Sequence, residues 1–308
     1  AGVAAMIYAI SRIYNIQGDT ARFCLAVICL SAPAALIFRS GAAIAAICVL
    51  NAAFSAACPE PELALGIGIY AAAALIAYSH LKTGGVFRNA VMVFVCLCST
   101  VSISYAASYE GRGTVLAAGF AGVFLAASAT KRLSQSPLSG NPFALSGFLI
   151  LLWAVCMGAS RYALESLSEP AASEAPAAFY PAFWTLCALY LFSIFRAFRN
   201  QRRVNALLAA SAVFPAFAAA MFSGSFWISA AVVNAAAFFG AAAMFAGGIS
   251  ANSRILSNAG VAVILLQCAA RAFESQADAG IRAAAFAAAG LLLMAFNFYL
   301  NRRKSDAR

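Results

Sequence analysis

Residues equipped for chemistry are few in this chain, and their spacing serves chemistry poorly. The one histidine, His80, stands beside Lys82 with no Glu, Asp or Cys at a metal-ligand or general-base spacing. The nine cysteines are Cys24, Cys29, Cys48, Cys58, Cys96, Cys98, Cys156, Cys187 and Cys268. Their number is odd and no two make a C-x-x-C pair, so neither a disulfide framework nor a redox motif is supported. A free thiol in an apolar run packs as a small hydrophobe. Gly66-Ile67-Gly68 lacks the third glycine of a dinucleotide fingerprint, and no P-loop lysine follows a glycine-rich turn. A hydrolase or transferase would need convergent His, Asp, Glu or Ser groups. That inventory is missing, so we expect no catalytic residue, no metal and no cofactor.

What remains is a small set of polar groups. Asn51, Asn234, Gln267 and Asn297 lie inside long apolar runs, where an amide either bonds a neighbouring helix or ligates a solute. Asn51, Asn234 and Gln267 are the candidate intramembrane polar site, with interhelical bonding as the plainer reading. The hydroxyls of Thr100, Ser102 and Ser128 read as ordinary helix packing. A second candidate is the turn holding Arg12, Tyr14, Asn15, Gly18 and Asp19. Arg12 can pair with Asp19 there, or simply reach the membrane surface beside a solvated turn. Arg22, Arg161 and Arg271 lie within a turn or two of run ends, where a long side chain snorkels to headgroups. No ionisable group stands near the middle of a complete run, which argues against a carrier built on buried carboxylates.

The elements that must position these groups follow from composition. Of 308 residues, 64% are hydrophobic and 10% charged, with a mean hydropathy of +0.88. Soluble domains carry about 25% charged residues, so this chain cannot clothe a soluble surface, and disordered or nucleic-acid-binding modules are excluded with it. Spanning a bilayer takes about 20 apolar residues as a helix. Such runs occur at 21–38, 41–57, 63–79, 89–108, 113–130, 143–164, 177–195, 204–222, 226–246, 255–273 and 283–300, after a partial run at 1–14. Runs this long and apolar on both faces are helices rather than barrel strands. The expected fold is all-α: a polytopic transmembrane bundle of eleven complete spans plus a partial first one, forming a single domain over 1–308. The apolar opening also suggests that sequence precedes Ala1.

Link chemistry alternates along the chain. Arg39, Lys82, Arg88, Lys131, Arg132, Arg196, Arg199, Arg202, Arg203, Arg254, Arg302, Arg303, Lys304 and Arg308 fall in one set, 14 of the 20 basic residues. The other set holds nine of the ten acids. Basic links mark the cytoplasmic side, which places the basic tail 301–308 inside and the flexible, acidic 165–178 loop outside. Anionic lipid at the inner links is the expected partner, together with the bilayer itself, and no nucleic acid is expected. Pro33 and Pro215 should kink their helices. Gly119 and Gly122, with Ala118 and Ala126, offer small surfaces for close helix approach. Tyr78, Tyr105, Tyr109, Tyr162, Tyr180, Trp227 and Tyr299 fit interfacial belts, while Trp153 and Trp184 lie deeper and read as packed.

The stretch from Ala9 to Ala45 carries Tyr14, Asn15, Gly18 and Asp19 in a turn, then an apolar helix with Pro33, then Arg39-Ser40. It resembles the signature of the DUF2157 family of bacterial membrane proteins, as does the final helix followed by Arg302-Arg303-Lys304. The family more often has His where Asn15 stands, so a role needing an imidazole is not carried over. The resemblance implies a bacterial inner membrane protein and supplies no reaction. Function is therefore read as an integral membrane protein of unassigned activity, with a secondary transporter for a small solute as the alternative.

Overall fold

Backbone amides in an apolar setting must be satisfied within their own segment, and the long runs here satisfy them as helices. The computed structural model describes residues 20–37, 41–57, 85–106, 112–129, 141–158, 161–168, 179–197, 202–251 and 253–274, with isolated helical positions at 283 and 291 and at 287. Among the described residues every regular element is an α-helix and no strand occurs. In chain order these are α1 (Thr20–Ile37), α2 (Gly41–Ala57), α3 (Gly85–Ala106), α4 (Gly113–Ser128), α5 (Pro142–Gly158), α6 (Arg161–Ser168), α7 (Phe179–Ala197), α8 (Arg202–Ser211), α9 (Val213–Ser223), α10 (Phe226–Ser250) and α11 (Arg254–Glu274).

Among the described residues three helices are long and apolar enough to cross a membrane: Phe179–Ala197, Asn205–Ser223 (counted through the α8–α9 join) and Phe226–Ser250. At about 1.5 Å per residue, the 19 residues of α7 span about 28 Å. Shorter apolar helices accompany them at 44–55, 89–104, 113–128, 142–158 and 254–269. The runs expected at 63–79 and, apart from three isolated positions, 283–300 lie outside the described residues, as do the partial run 1–14 and the 301–308 tail.

Two expected runs are divided. Where a single helix was expected over 143–164, α5 ends at Gly158 and the eight-residue α6 runs on to Ser168, so the first four residues of the loop expected at 165–178 are helical instead. Gly158, a weak helix former, closes α5, and a Cβ there would strike the Phe217 ring. Beyond it the composition turns polar, and α6 buries only Ala163, Leu164 and Leu167 while Glu165 is exposed. The run 204–222 is divided at Ala212, three residues before Pro215. A proline at that point has no N–H for the Ser211 carbonyl, and the Ala212 amide bonds Ala209 O at 3.2 Å, a tighter turn than the α-helical one. Pro33 behaves differently, since α1 continues as helix on both sides of it.

The centre of the bundle is α4. Val115, Leu116, Ala117, Ala118, Ala121 and Leu125 are fully buried, and α5, α7, α8, α9 and α3 pack around them. Close approach depends on missing side chains. A Cβ on Gly119 would come within 3.0 Å of Leu186 Cδ1 and 3.1 Å of Phe214 Cε2. On Gly122 it would meet Phe214 Cβ at 2.9 Å and the Ser211 carbonyl at 3.2 Å. From the other side, a Cβ on Gly147 of α5 would stand 2.9 Å from Leu125 Cγ. A second apolar cluster joins α1, α2 and α3 through Cys24, Ile28, Ile47, Phe54, Val91 and Val95, and Phe124 of α4 and Phe143 of α5 pack against it.

The outer faces reverse the usual order of a soluble protein. Trp184, Leu191, Phe192 and Phe195 of α7 are exposed, as are Trp227, Ile228 and Phe239 of α10. The inward face of α7 carries Phe179, Phe183, Leu186, Tyr190 and Ser193, and that of α10 carries Ser229, Val233, Gly240, Met244, Gly247 and Gly248. Bulky apolar groups on the outside, with glycines and hydroxyls admitted among the packed side chains inside, is the arrangement that hydrocarbon rewards. Trp153 and Trp184 are correspondingly exposed, 42% and 61%. The expectation that they are packed inside is corrected.

Gly147→Val tests the close approach of α5 to α4. Overpacking there should cost about 1–3 kcal/mol in an unfolding equilibrium in mixed micelles. The same change at the outward Ala188 should stay within about 0.5 kcal/mol. Equal costs at the two positions would refute the packing described.

Candidate functional site

Among the described residues, three seams of polar groups lie inside the bundle, each built by a different set of helices. In the first, α2 and α3 face one another, and Asn51 of α2 donates from Nδ2 to Ser102 Oγ of α3 at 3.0 Å. Ser55 of α2 and Ser99 and Thr100 of α3 are also buried. Ser55 Oγ donates to the Asn51 carbonyl at 2.9 Å, and Thr100 Oγ1 donates to Cys96 O at 2.8 Å. Such bonds to the preceding turn are how an apolar helix absorbs a hydroxyl without a partner helix. Two atoms of the seam are buried without a hydrogen-bond partner, Asn51 Oδ1 and Ser99 Oγ.

The second seam lies between α10 and α11, which form an antiparallel hairpin. The turn is held by Ala251 N on Gly247 O at 2.9 Å and Ser253 N on Gly248 O at 2.8 Å. Gly260 lets α11 close on α10, since a Cβ there would strike the Phe245 amide at 2.8 Å. On the far part of the hairpin Gln267 Nε2 donates to Asn234 Oδ1, and Asn234 Nδ2 returns to the Ala230 carbonyl of its own helix at 2.7 Å. Gln267 Oε1 is buried without a partner. Sequence spacing brings no hint of this pairing, because 33 residues separate the two amides.

A third seam sits against α4. Tyr190 of α7 and Ser211 of α8 share a hydrogen bond of 3.3 Å between hydroxyls, and Ser211 Oγ also donates to Leu208 O at 2.7 Å. The Tyr190 ring meets Phe214 edge-on at 5.3 Å. Neither Tyr190 nor Ser211 stood out in the sequence. Pro215 was the available signal, since it leaves the Ser211 carbonyl without its helical donor.

Polar groups also fasten the helix ends. Asn141 accepts from Ala144 N at 3.2 Å, capping α5 ahead of Pro142, and its Nδ2 donates to Ser128 O of α4 at 3.4 Å. Asn followed by Pro at a helix start is a legible signal for such a cap. Between α9 and α10, Ser223 and Ser229 share a hydroxyl bond of 2.9 Å beside Gly224, whose φ of +61° suits glycine. Ser229 Oγ further donates to Ala220 O at 2.9 Å. Arg196, in the last turn of α7, lies over the Phe192 ring at 5.2 Å.

The sequence candidates therefore divide. Asn234 and Gln267 come together, while Asn51 belongs to another helix pair. The turn of Arg12, Tyr14, Asn15, Gly18 and Asp19 lies outside the described residues, as do His80 and Cys58. Among the described residues no group of three or more His, Cys, Asp or Glu is placed to hold a metal ion. The eight described cysteines are free thiols. Comparison with known protein families, with curated proteins and with solved structures found no match.

A double-mutant cycle on Asn234→Leu and Gln267→Leu tests the second seam. The coupling in an unfolding equilibrium should be about 0.6 kcal/mol, and at most about 1.7 kcal/mol. Strict additivity of the two substitutions would show that the amides do not hold α10 to α11.

Proposed function

We propose that the chain is a polytopic integral membrane protein of the bacterial inner membrane, with eleven complete spans and a cytoplasmic C-terminus. Its intramembrane polar groups hold helices together rather than perform chemistry. The observation that carries this reading is the bonding of the amides. Asn51 reaches Ser102 across α2 and α3, and Gln267 reaches Asn234 across α10 and α11. Each amide thus spends a donor or acceptor on another helix, which is the common fate of such groups in hydrocarbon.

Supporting the bilayer setting are three helices of spanning length and the bulky apolar residues on their exposed faces. The orientation rests on the basic links alone, and the resemblance of residues 9–45 to the DUF2157 signature agrees with an inner membrane location. A secondary transporter for a small solute is the second reading. It is favoured by the acceptors Asn51 Oδ1 and Gln267 Oε1, which have no partner. It also requires the amides to line one path, whereas these belong to separate helix pairs, so the structural role is preferred.

Orientation and span number are tested together by thiol labelling in intact cells, with the unmodified protein as the blank. A cysteine replacing Ser173 should react with a membrane-impermeant maleimide added outside, and one replacing Ser134 should react only after the membrane is opened. The reverse pattern would overturn the topology. Equal reaction at both positions would overturn the number of spans between them.

A further inference from the structure

We infer that the α2–α3 seam is a water-binding site, in which one bound water molecule bridges Asn51 Oδ1 and Ser99 Oγ. Both side chains are almost wholly buried, 1% exposed for Asn51 and 4% for Ser99, and these two atoms have no hydrogen-bond partner. A buried polar atom without a partner costs about 1–3 kcal/mol, and these two stand on helices that pack against each other, so one small ligand of matching chemistry would relieve both.

The atoms define that chemistry. An amide oxygen only accepts, while a serine hydroxyl both donates and accepts. The ligand must therefore donate to Asn51 and either donate to or accept from Ser99. The described part of the seam contains no carboxylate, so it holds no formal charge for a divalent cation. Ser99 and Ser102 are three residues apart on α3 and so share one face of that helix. Ser102 already accepts from Asn51 Nδ2, which places Ser99 one turn along from the amide. Water satisfies both free atoms at once, and buried waters make about three hydrogen bonds to groups of this kind. The Gln267 Oε1 atom of the other amide seam is a single free acceptor, too few partners to define a comparable site.

The sign of one substitution separates a bridged from an unbridged Ser99. Removing a buried hydroxyl that bonds nothing is neutral or stabilising, whereas removing one that anchors a water strands Asn51. Ser99→Ala should lower the folding equilibrium constant about fivefold, equivalent to about 1 kcal/mol. In an Asn51→Leu background the same change should have less than about a twofold effect. Ser99→Ala that is neutral or stabilising in the unmodified background overturns the proposal, and so does an equal loss in both backgrounds. Repeating the measurement after exhaustive exchange into solute-free detergent buffer should leave the fivefold loss intact. Its disappearance would replace water with a co-purified solute and overturn the assignment. Should a variant not fold, a high-resolution experimental map of the unmodified protein decides the matter. A peak within hydrogen-bonding reach of both atoms is expected, and a seam closed by side chains alone overturns it.

Discussion

Everything in this bundle depends on how closely helices can approach α4. Its surface is made of Ala118, Gly119, Ala121 and Gly122, and the neighbours fill the space that larger residues would occupy. Phe214 leans over both glycines, Leu186 reaches Gly119, and Tyr190 reaches Gly122. Between apolar helices in an apolar solvent there is little hydrophobic gain to be had, so van der Waals contact at short range must carry association. That requirement explains why this deeply buried helix carries Ala or Gly at half of its 16 positions.

The same constraint sorts polar from apolar groups. Where helices meet through small residues, buried rings such as Phe183, Phe214 and Phe217 fill the space left between them, while Phe195, Trp227 and Phe239 turn outward. Hydroxyls fit the tight interiors because they need little volume and can bond the preceding turn of their own helix, as Ser128 does to Leu125 O at 2.7 Å. Amides cannot satisfy all their atoms that way. Asn51 and Gln267 reach across to other helices, and both retain a free acceptor. Polar seams and close packing are thus two results of one geometry, and the few groups that resemble a site are found where helices are held together.

Much of this was legible from residue order. The run 41–57 coincides with α2, and 113–130 and 255–273 fall within two residues of the ends of α4 and α11. Gly119 and Gly122 were recognisable as contact points because small residues have no other advantage in an apolar run. Orientation about each helix axis was not legible. With apolar residues on every side, periodicity offers no polar face to mark the outside, and Trp184 was accordingly read as packed. The division of 143–164 was hidden for a related reason, since Ala163 and Leu164 continue the apolar count beyond Gly158 while α6 is a separate helix that runs on to Ser168. Pro215 broke its helix and Pro33 did not, a difference that a local rule about proline cannot supply. The pairing of Asn234 with Gln267 depends on the hairpin of α10 and α11, a tertiary fact.

The most direct test of a close-packed interior with a bulky apolar exterior is photolabelling of the intact protein in lipid vesicles with an apolar carbene reagent. Mass spectrometry of the products should find label on Trp184, Phe195, Trp227 and Phe239 and none on Leu116, Leu125 or Phe217. Label on the α4 residues, or protection of the α7 and α10 aromatics, would contradict the packing order on which the bundle rests.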